Sequence, residues 1–372
     1  MTLFDDSAPV SPGPRRPSRA VVAGIWTLSA ALVVLLILTF LPTGYVIQRP
    51  GPVYNTLGSA PGPDGEEVPL ITVQGAETYP TEGALDLLTV QVVGSRERTP
   101  SWFELATAWF DRTRAVLPIE VVFPTDQTVE QRQSENAALM VDSQQEATAA
   151  ALSELGYDVS PQLRVYSVVE DSAADGVLRE DDVILAADGE QVTDVAALRG
   201  IVDASEGAPV DLTILRDGGT RSLALVPQQE GEDPDAPWLI GVTLMSDYDF
   251  PVDVEIQLDN VGGPSAGMMF ALGIIDVLTP GELNGGERVA GSGTITAQGI
   301  VGPIGGVRQK LWGAVGDGAS YFLAAEANCP EIVGHVPGGL HVFAVEDLDD
   351  AMRALDAVAT GGDLDALPTC DT

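Results

Sequence analysis

The sequence predicts an α/β protein that is interrupted by a mostly β domain and led by one transmembrane helix. Three observations carry this expectation. Residues 21–41, VVAGIWTLSAALVVLLILTFL, hold no charge and are long enough to cross a bilayer at about 1.5 Å per residue. Residues 160–227 alternate short strand-like runs with one helical run, separated by turn-forming glycines. Beyond residue 238, strand-like and helical runs alternate, the order of an α/β layer.

Taken in chain order, residues 1–20 are expected as a cytoplasmic tail. Arg15, Arg16 and Arg19 precede the apolar run and Arg49 is the first charge after it, an asymmetry that keeps the amino terminus inside. Residues 21–42 form an uncleaved anchor, because PTGYVIQRPG offers no small-x-small cleavage site. The remainder of the chain then lies outside the cell. Residues 43–69, rich in Pro and Gly, read as an exposed lead-in. Residues 70–157 begin with two strands, PLITVQG and ALDLLTVQVV. They end in a helix over 129–155 with Ala137, Met140, Val141, Ala147, Ala151 and Leu155 at helical spacing and Gly156 as a stop. After the β domain, QQEGEDPDAP (228–237) reads as an acidic linker. The block 238–358 holds a strand in VDVEIQL, a helix in SAGMMFALGIIDVL that is apolar on all sides and therefore buried, and a strand and helix in HVFAVEDLDDAMRAL. Residues 359–372 are expected as a tail.

Composition excludes several functions. A formal charge of -37 over 372 residues leaves no basic stripe to neutralise phosphates, so nucleic acid is not a partner. Two cysteines and two histidines, His335 and His341, with neither HExxH nor CxxC spacing, predict no metal and no cofactor. Outside the cell Cys329 and Cys370 would meet an oxidising environment, where a bridge would contribute roughly 4 kcal/mol by loop entropy. A bridged pair and two free thiols both fit the sequence.

Among 18 basic residues Lys310 is the one lysine. Unlike a guanidinium, an ammonium can lose its proton when buried and so act as a base. Lys310 should sit in the first turn of a short helix ending near Gly316, where the helix dipole disfavours a cation. A shift of about three units costs about 4 kcal/mol, which enzymes reach by burial. The second candidate is Ser265 in GPSAG. Pro264 suits a first helical position, which would leave backbone N–H groups around Gly263, Ser265 and Ala266 free to stabilise an oxyanion. Two other readings compete. GPSAG also satisfies G-x-S-x-G, with Asp317 and His335 following in the order of an α/β-hydrolase triad. In the third, the chain is a catalytically silent scaffold in which Ser265 caps a helix and Lys310 is a surface charge.

Two resemblances extend this reading. The segment 160–227, with VVEDSAADGVLREDDVILAADGEQV and turns at Gly176 and Gly189, resembles a PDZ domain, a fold that binds chain ends by adding a strand to a sheet edge. Its departure is Asp181, where such domains usually carry glycine. DNVGGPSAG followed by VGPIGGVRQK, with Lys310 forty-five positions after Ser265, resembles the signature of the Lon protease domain. That resemblance implies a Ser265–Lys310 dyad, with Ser292 of GSGTITAQGIVGPIGG as a hydroxyl that contacts the lysine. It covers 240–358 and more weakly 70–157, so the PDZ segment splits a Lon-type proteolytic domain. The layout is similar to that of the membrane-anchored, PDZ-containing Lon-like serine proteases of Gram-positive bacteria. It implies protein or peptide substrates, a PDZ domain that recruits them or regulates the site, and a homo-oligomer, a hexameric ring by resemblance. Two departures from ATP-dependent Lon enzymes stand out. Gly262 replaces their acidic residue three positions before the serine, and no G-x-x-x-x-G-K-[ST] exists because the sole lysine follows Gln309. The implied enzyme is ATP-independent and cuts unfolded or flexible segments.

Overall fold

The computed structural model describes residues 18–40, 42–61, 67–123, 128–192, 195–229, 236–258 and 261–370. The central six residues of the expected linker, Asp259 and Asn260 of the serine motif, and most of the amino-terminal tail lie outside them. The chain divides into two units, Met1–Arg49 with Gln91–Asp126, and Pro50–Val90 with Gln127–Thr372.

In the first unit the apolar run forms the helix Arg19–Phe40. Its described side chains end at Val34, and among the described residues no helix is long and apolar enough to cross a membrane. Next comes a strand, Tyr45–Asn55, whose first residues pair antiparallel with Ala115–Pro118, from Tyr45 opposite Pro118 to Gln48 opposite Ala115. The helix Trp102–Phe110 starts at a capping box of Ser101 and Glu104. It turns Leu105 and Ala108 onto Ile47, Val93 and Val116.

The strand corrects the expected lead-in over 43–69. Pro50, Gly51 and Pro52 read as a turn, yet Gly51 stands where a Cβ would collide with Thr89, and the Thr89 hydroxyl donates to the Pro52 carbonyl at 2.8 Å. The glycine permits close approach of a neighbouring strand, and the prolines give up only amide donors.

In the second unit the sheet order is His341–Val345, Tyr321–Ala325, Arg288–Ser292, Ala84–Val93, then Tyr45–Asn55. The first four strands run parallel. Parallel strands are buried on both faces, and neighbouring residues divide accordingly. Val289, Leu323 and Phe343 face a core with the helices Gly267–Leu278 and Leu348–Thr360, while Ala290, Phe322 and Val342 face the helix Val307–Gly316. The helix Val129–Glu154 joins the first core through Met140, Ala147 and Ala151. Ala137 and Val141, expected on that face, are exposed, and the polar Ser143 is buried instead. Gly156, at φ +80°, follows the helix as expected. The expected tail folds back: Thr369 bridges Phe343, and Cys370 is bonded to Cys329.

The inserted domain has its own sheet, ordered Gly219–Leu225, Val210–Arg216, Val183–Ala187, Ser160–Val168 and Val242–Asp249, with the helix Val195–Ala204 and a separate core. The expected boundary at 227 therefore moves. Gln228–Gln229 pairs with Trp238–Leu239, Trp238 and Ile240 pack into this core, and Val242–Asp249 is the sheet's edge strand. The acidic stretch looked like a linker because its charge hides a connection between two paired segments. Asp181 adopts φ +67°, the left-handed conformation that glycine would supply and that aspartate tolerates better than most residues.

Candidate active site

Lys310 and Ser265 meet at the carboxyl end of the strand Arg288–Ser292, the end where open α/β sheets bind ligands. The lysine side of the site is built by Gly306, whose φ of +70° starts the helix Val307–Gly316. Val307, Leu311 and Ala314 fix that helix to the sheet, and Lys310 is held in its first turn by an N–H bond to the Gly306 carbonyl. Its side chain is 2 % exposed. Nζ donates to Oγ of Ser265 at 2.7 Å and to Oγ of Ser292 at 2.8 Å. The Ser292 hydroxyl donates in turn to the Ser265 carbonyl at 2.9 Å. Neither partner is a carboxylate, so burial alone pushes the lysine down to about 7.

Ser265 lies in a turn just before the buried helix, which begins at Gly267 with Ala266 as N-cap, later than Pro264 suggested. The cause is that the Ser265 carbonyl is engaged by the Gly293 N–H at 3.2 Å and by Ser292, which ties the turn to the strand end and delays the helix. Among the described residues the N–H groups of Ser265 and Ala266 have no acceptor. They can therefore receive an oxyanion. Gly263, at φ +88°, shapes the turn and donates its N–H to the Asn136 carbonyl.

Sequence reasoning missed the support from the helix Val129–Glu154. Ser143 Oγ donates to the Pro264 carbonyl at 3.1 Å, and a Cβ at Gly262 would stand 2.8 Å from the Asn136 Cβ. The acidic residue absent at position 262 therefore has no room. Ser143 left one signal, a polar residue three positions after Met140 on an apolar face. On the same helix Glu146 accepts the Tyr248 hydroxyl at 2.6 Å and the Ala297 N–H.

The hydrolase-triad residues are not brought together. Asp317 pairs with Arg288, and the exposed His335 contacts the Val333 carbonyl through Nδ1. Among the described residues no group of three His, Cys, Asp or Glu could hold a metal ion.

The family model for the Lon protease (S16) C-terminal proteolytic domain matches residues 257–357, and that for a PDZ domain matches residues 164–216. Lon protease of Azospirillum brasilense is 34% identical over 114 residues, 30% of this chain and 14% of that protein. Lon protease 2 of Herpetosiphon aurantiacus is 35% identical over 108 residues, 27% of this chain and 13% of that protein. The chain thus matches only about a seventh of the length of these relatives. The PDZ domain of an SdrC-like protein from Listeria innocua is 20% identical, with a TM-score of 0.21, and covers 22% of this chain and 92% of that one. Ser265, Ser292 and Lys310 all fall inside the first match, and the chain carries a Lon-type (S16) proteolytic domain together with a PDZ domain.

Proposed function

We propose that this chain is a membrane-anchored, ATP-independent serine endopeptidase in which Ser265 is the nucleophile and Lys310 the general base. The observation that carries the reading is a buried lysine with no carboxylate partner among the described residues, 2.7 Å from a serine hydroxyl. In its neutral form Nζ donates to Ser292 and turns its lone pair to the Ser265 hydroxyl. As Oγ attacks a peptide carbonyl, its proton passes to Lys310 and the oxyanion gathers at the N–H groups of Ser265 and Ala266. The lysine then protonates the departing amine, and the Lys310 amine, neutral again, takes a proton from the water that releases the acyl group. Ser292 is a positioning residue, since its own proton is committed to the Ser265 carbonyl.

Three further parts of the reading have separate support. Anchoring rests on the uncharged residues 21–41 and on Ile25, Trp26, Leu28 and Leu32, apolar side chains of that helix that lack protein cover. Arginine asymmetry directs the remainder of the chain outside the cell. ATP independence rests on the lack of a phosphate-binding motif within these 372 residues, and on that reading the substrates are proteins already unfolded or flexible. The PDZ groove lies between the edge strand Val242–Asp249 and the helix Val195–Ala204, where Leu198, Val202 and Leu244 face a common cleft, and it would take a substrate's chain end as an added strand. Assembly into a hexameric ring follows from the Lon resemblance, and native mass measurement decides it. For the chemistry, Ser265→Ala should abolish casein cleavage and labelling by an acylating serine probe with the fold intact. Undiminished cleavage would end the dyad reading.

A further inference from the structure

The helix Trp102–Phe110 buries one face and leaves the opposite one apolar and bare. Leu105 and Ala108 cover the small core of the first unit, whereas Phe103 and Phe110, two turns apart on the other side, are exposed, Phe110 to 90 %. Trp109 and Val121 extend this exposed apolar surface. Two contacts fix its position. Thr43, three residues past the apolar helix, donates its N–H to the Thr99 hydroxyl at 3.1 Å and its own hydroxyl to the Pro100 carbonyl at 2.8 Å. The helix Trp102–Phe110 also packs against the helix Arg19–Phe40.

Charge separates this region from the rest of the molecule. Between residues 91 and 123 Arg96, Arg98, Arg112 and Arg114 balance as many acids, a formal charge of zero in a chain of -37. Arg112, two positions after Phe110, is exposed. Tryptophan and phenylalanine beside arginine is the composition of a lipid–water interface, and a neutral segment is the part of so acidic a chain that can approach an anionic surface.

We propose that Trp102–Phe110 is a second membrane contact, an in-plane helix that inserts Phe103, Trp109 and Phe110 among lipid headgroups. This rests on the anchor reading of Arg19–Phe40, because the membrane is located by the point where that helix leaves it. The test uses the full chain in phosphatidylcholine–phosphatidylglycerol vesicles, with one fluorophore-labelled cysteine at a time, the native Cys329 and Cys370 being bonded to each other. Labels replace Phe103, Phe110, Val34 in the apolar helix, and Tyr166, which is exposed on the inserted domain. Lipids spin-labelled at shallow depth should quench the labels at 103 and 110 severalfold more than the label at 166. Deep spin labels should quench only the one at 34. Labels at 103 and 110 that behave like 166 would overturn the second contact while a quenched 34 keeps the anchor, and an unquenched 34 refutes the anchor itself. Labels at 103 and 110 shielded from aqueous iodide yet untouched by lipid quenchers would mean that protein covers the face, which also overturns the proposal.

Discussion

At the scale of single residues, the proposed chemistry turns on whether Lys310 is neutral. Its folded value of about 7 lies well below the ordinary 10.5, so the basic form grows as pH rises through 7, and kcat/KM should climb with it on casein. Stability follows the same sign. Between about 7 and 10.5 the unfolded chain binds a proton that the folded chain has released, so the lysine's destabilising effect fades as pH rises through this window. Lys310→Met should therefore raise the melting temperature most at neutral pH and hardly at all near pH 10, and thermal scans across that range check it. Lys310→Arg keeps the charge but cannot become a base. A loss of at least about a hundredfold in rate is expected, with His335→Ala near wild type; the reverse pattern would favour the triad.

At the scale of elements, the helix Val129–Glu154 is the support on which the serine turn rests. Ser143→Ala removes one bond to the Pro264 carbonyl, worth about 1 kcal/mol, and should lower kcat severalfold with little change in the melting temperature. Gly262→Asp should do more, because its Cβ meets Asn136 and the turn carrying Ser265 must move. Kinetics beside circular dichroism tests both, and a Gly262→Asp variant with full activity would show that the turn adapts. The sequence announced this helix through its spacing and its stop at Gly156, but not its orientation. Alanine-rich turns give similar apolar character to several faces, so spacing alone points Ala137 and Val141 inward and passes over Ser143. The strand Tyr45–Asn55 was illegible for another reason. Its Pro-Gly-Pro centre is turn chemistry in isolation, and only a neighbouring strand, here with Thr89, gives it an extended role.

At the scale of the whole molecule, the parallel strands Ala84–Val93 and His341–Val345 and the helices Gly267–Leu278 and Leu348–Thr360 are legible as apolar runs, whereas Arg288–Ser292, broken by Arg and Gly, and the short Tyr321–Ala325 are not. The contact of Ser265 with Lys310 was legible too: a lone lysine and a Gly-rich serine motif survive as sequence patterns, whereas the long-range bonds from Asn136 and Ser143 leave almost none. The closing strand of the inserted domain was not, since it follows an acidic stretch and leads straight into the protease part. The Cys329–Cys370 bond joins the end of the fold to the region after Tyr321–Ala325 across a separation of 41 residues, and a loop of that size is worth roughly 4 kcal/mol. Reduction should lower the melting temperature by several degrees, and an unchanged scan with thiols verified free would deny the bond a role in stability. The inserted domain enters at Ser160 and leaves at Asp249, and these two residues are partners in one antiparallel register. A module whose ends emerge side by side can be lifted out and its host closed by a tight turn, or replaced by an unrelated domain with equally close termini, at little cost in loop entropy. Recombination acting on such a gene can exchange the inserted domain without redesigning the fold that holds it.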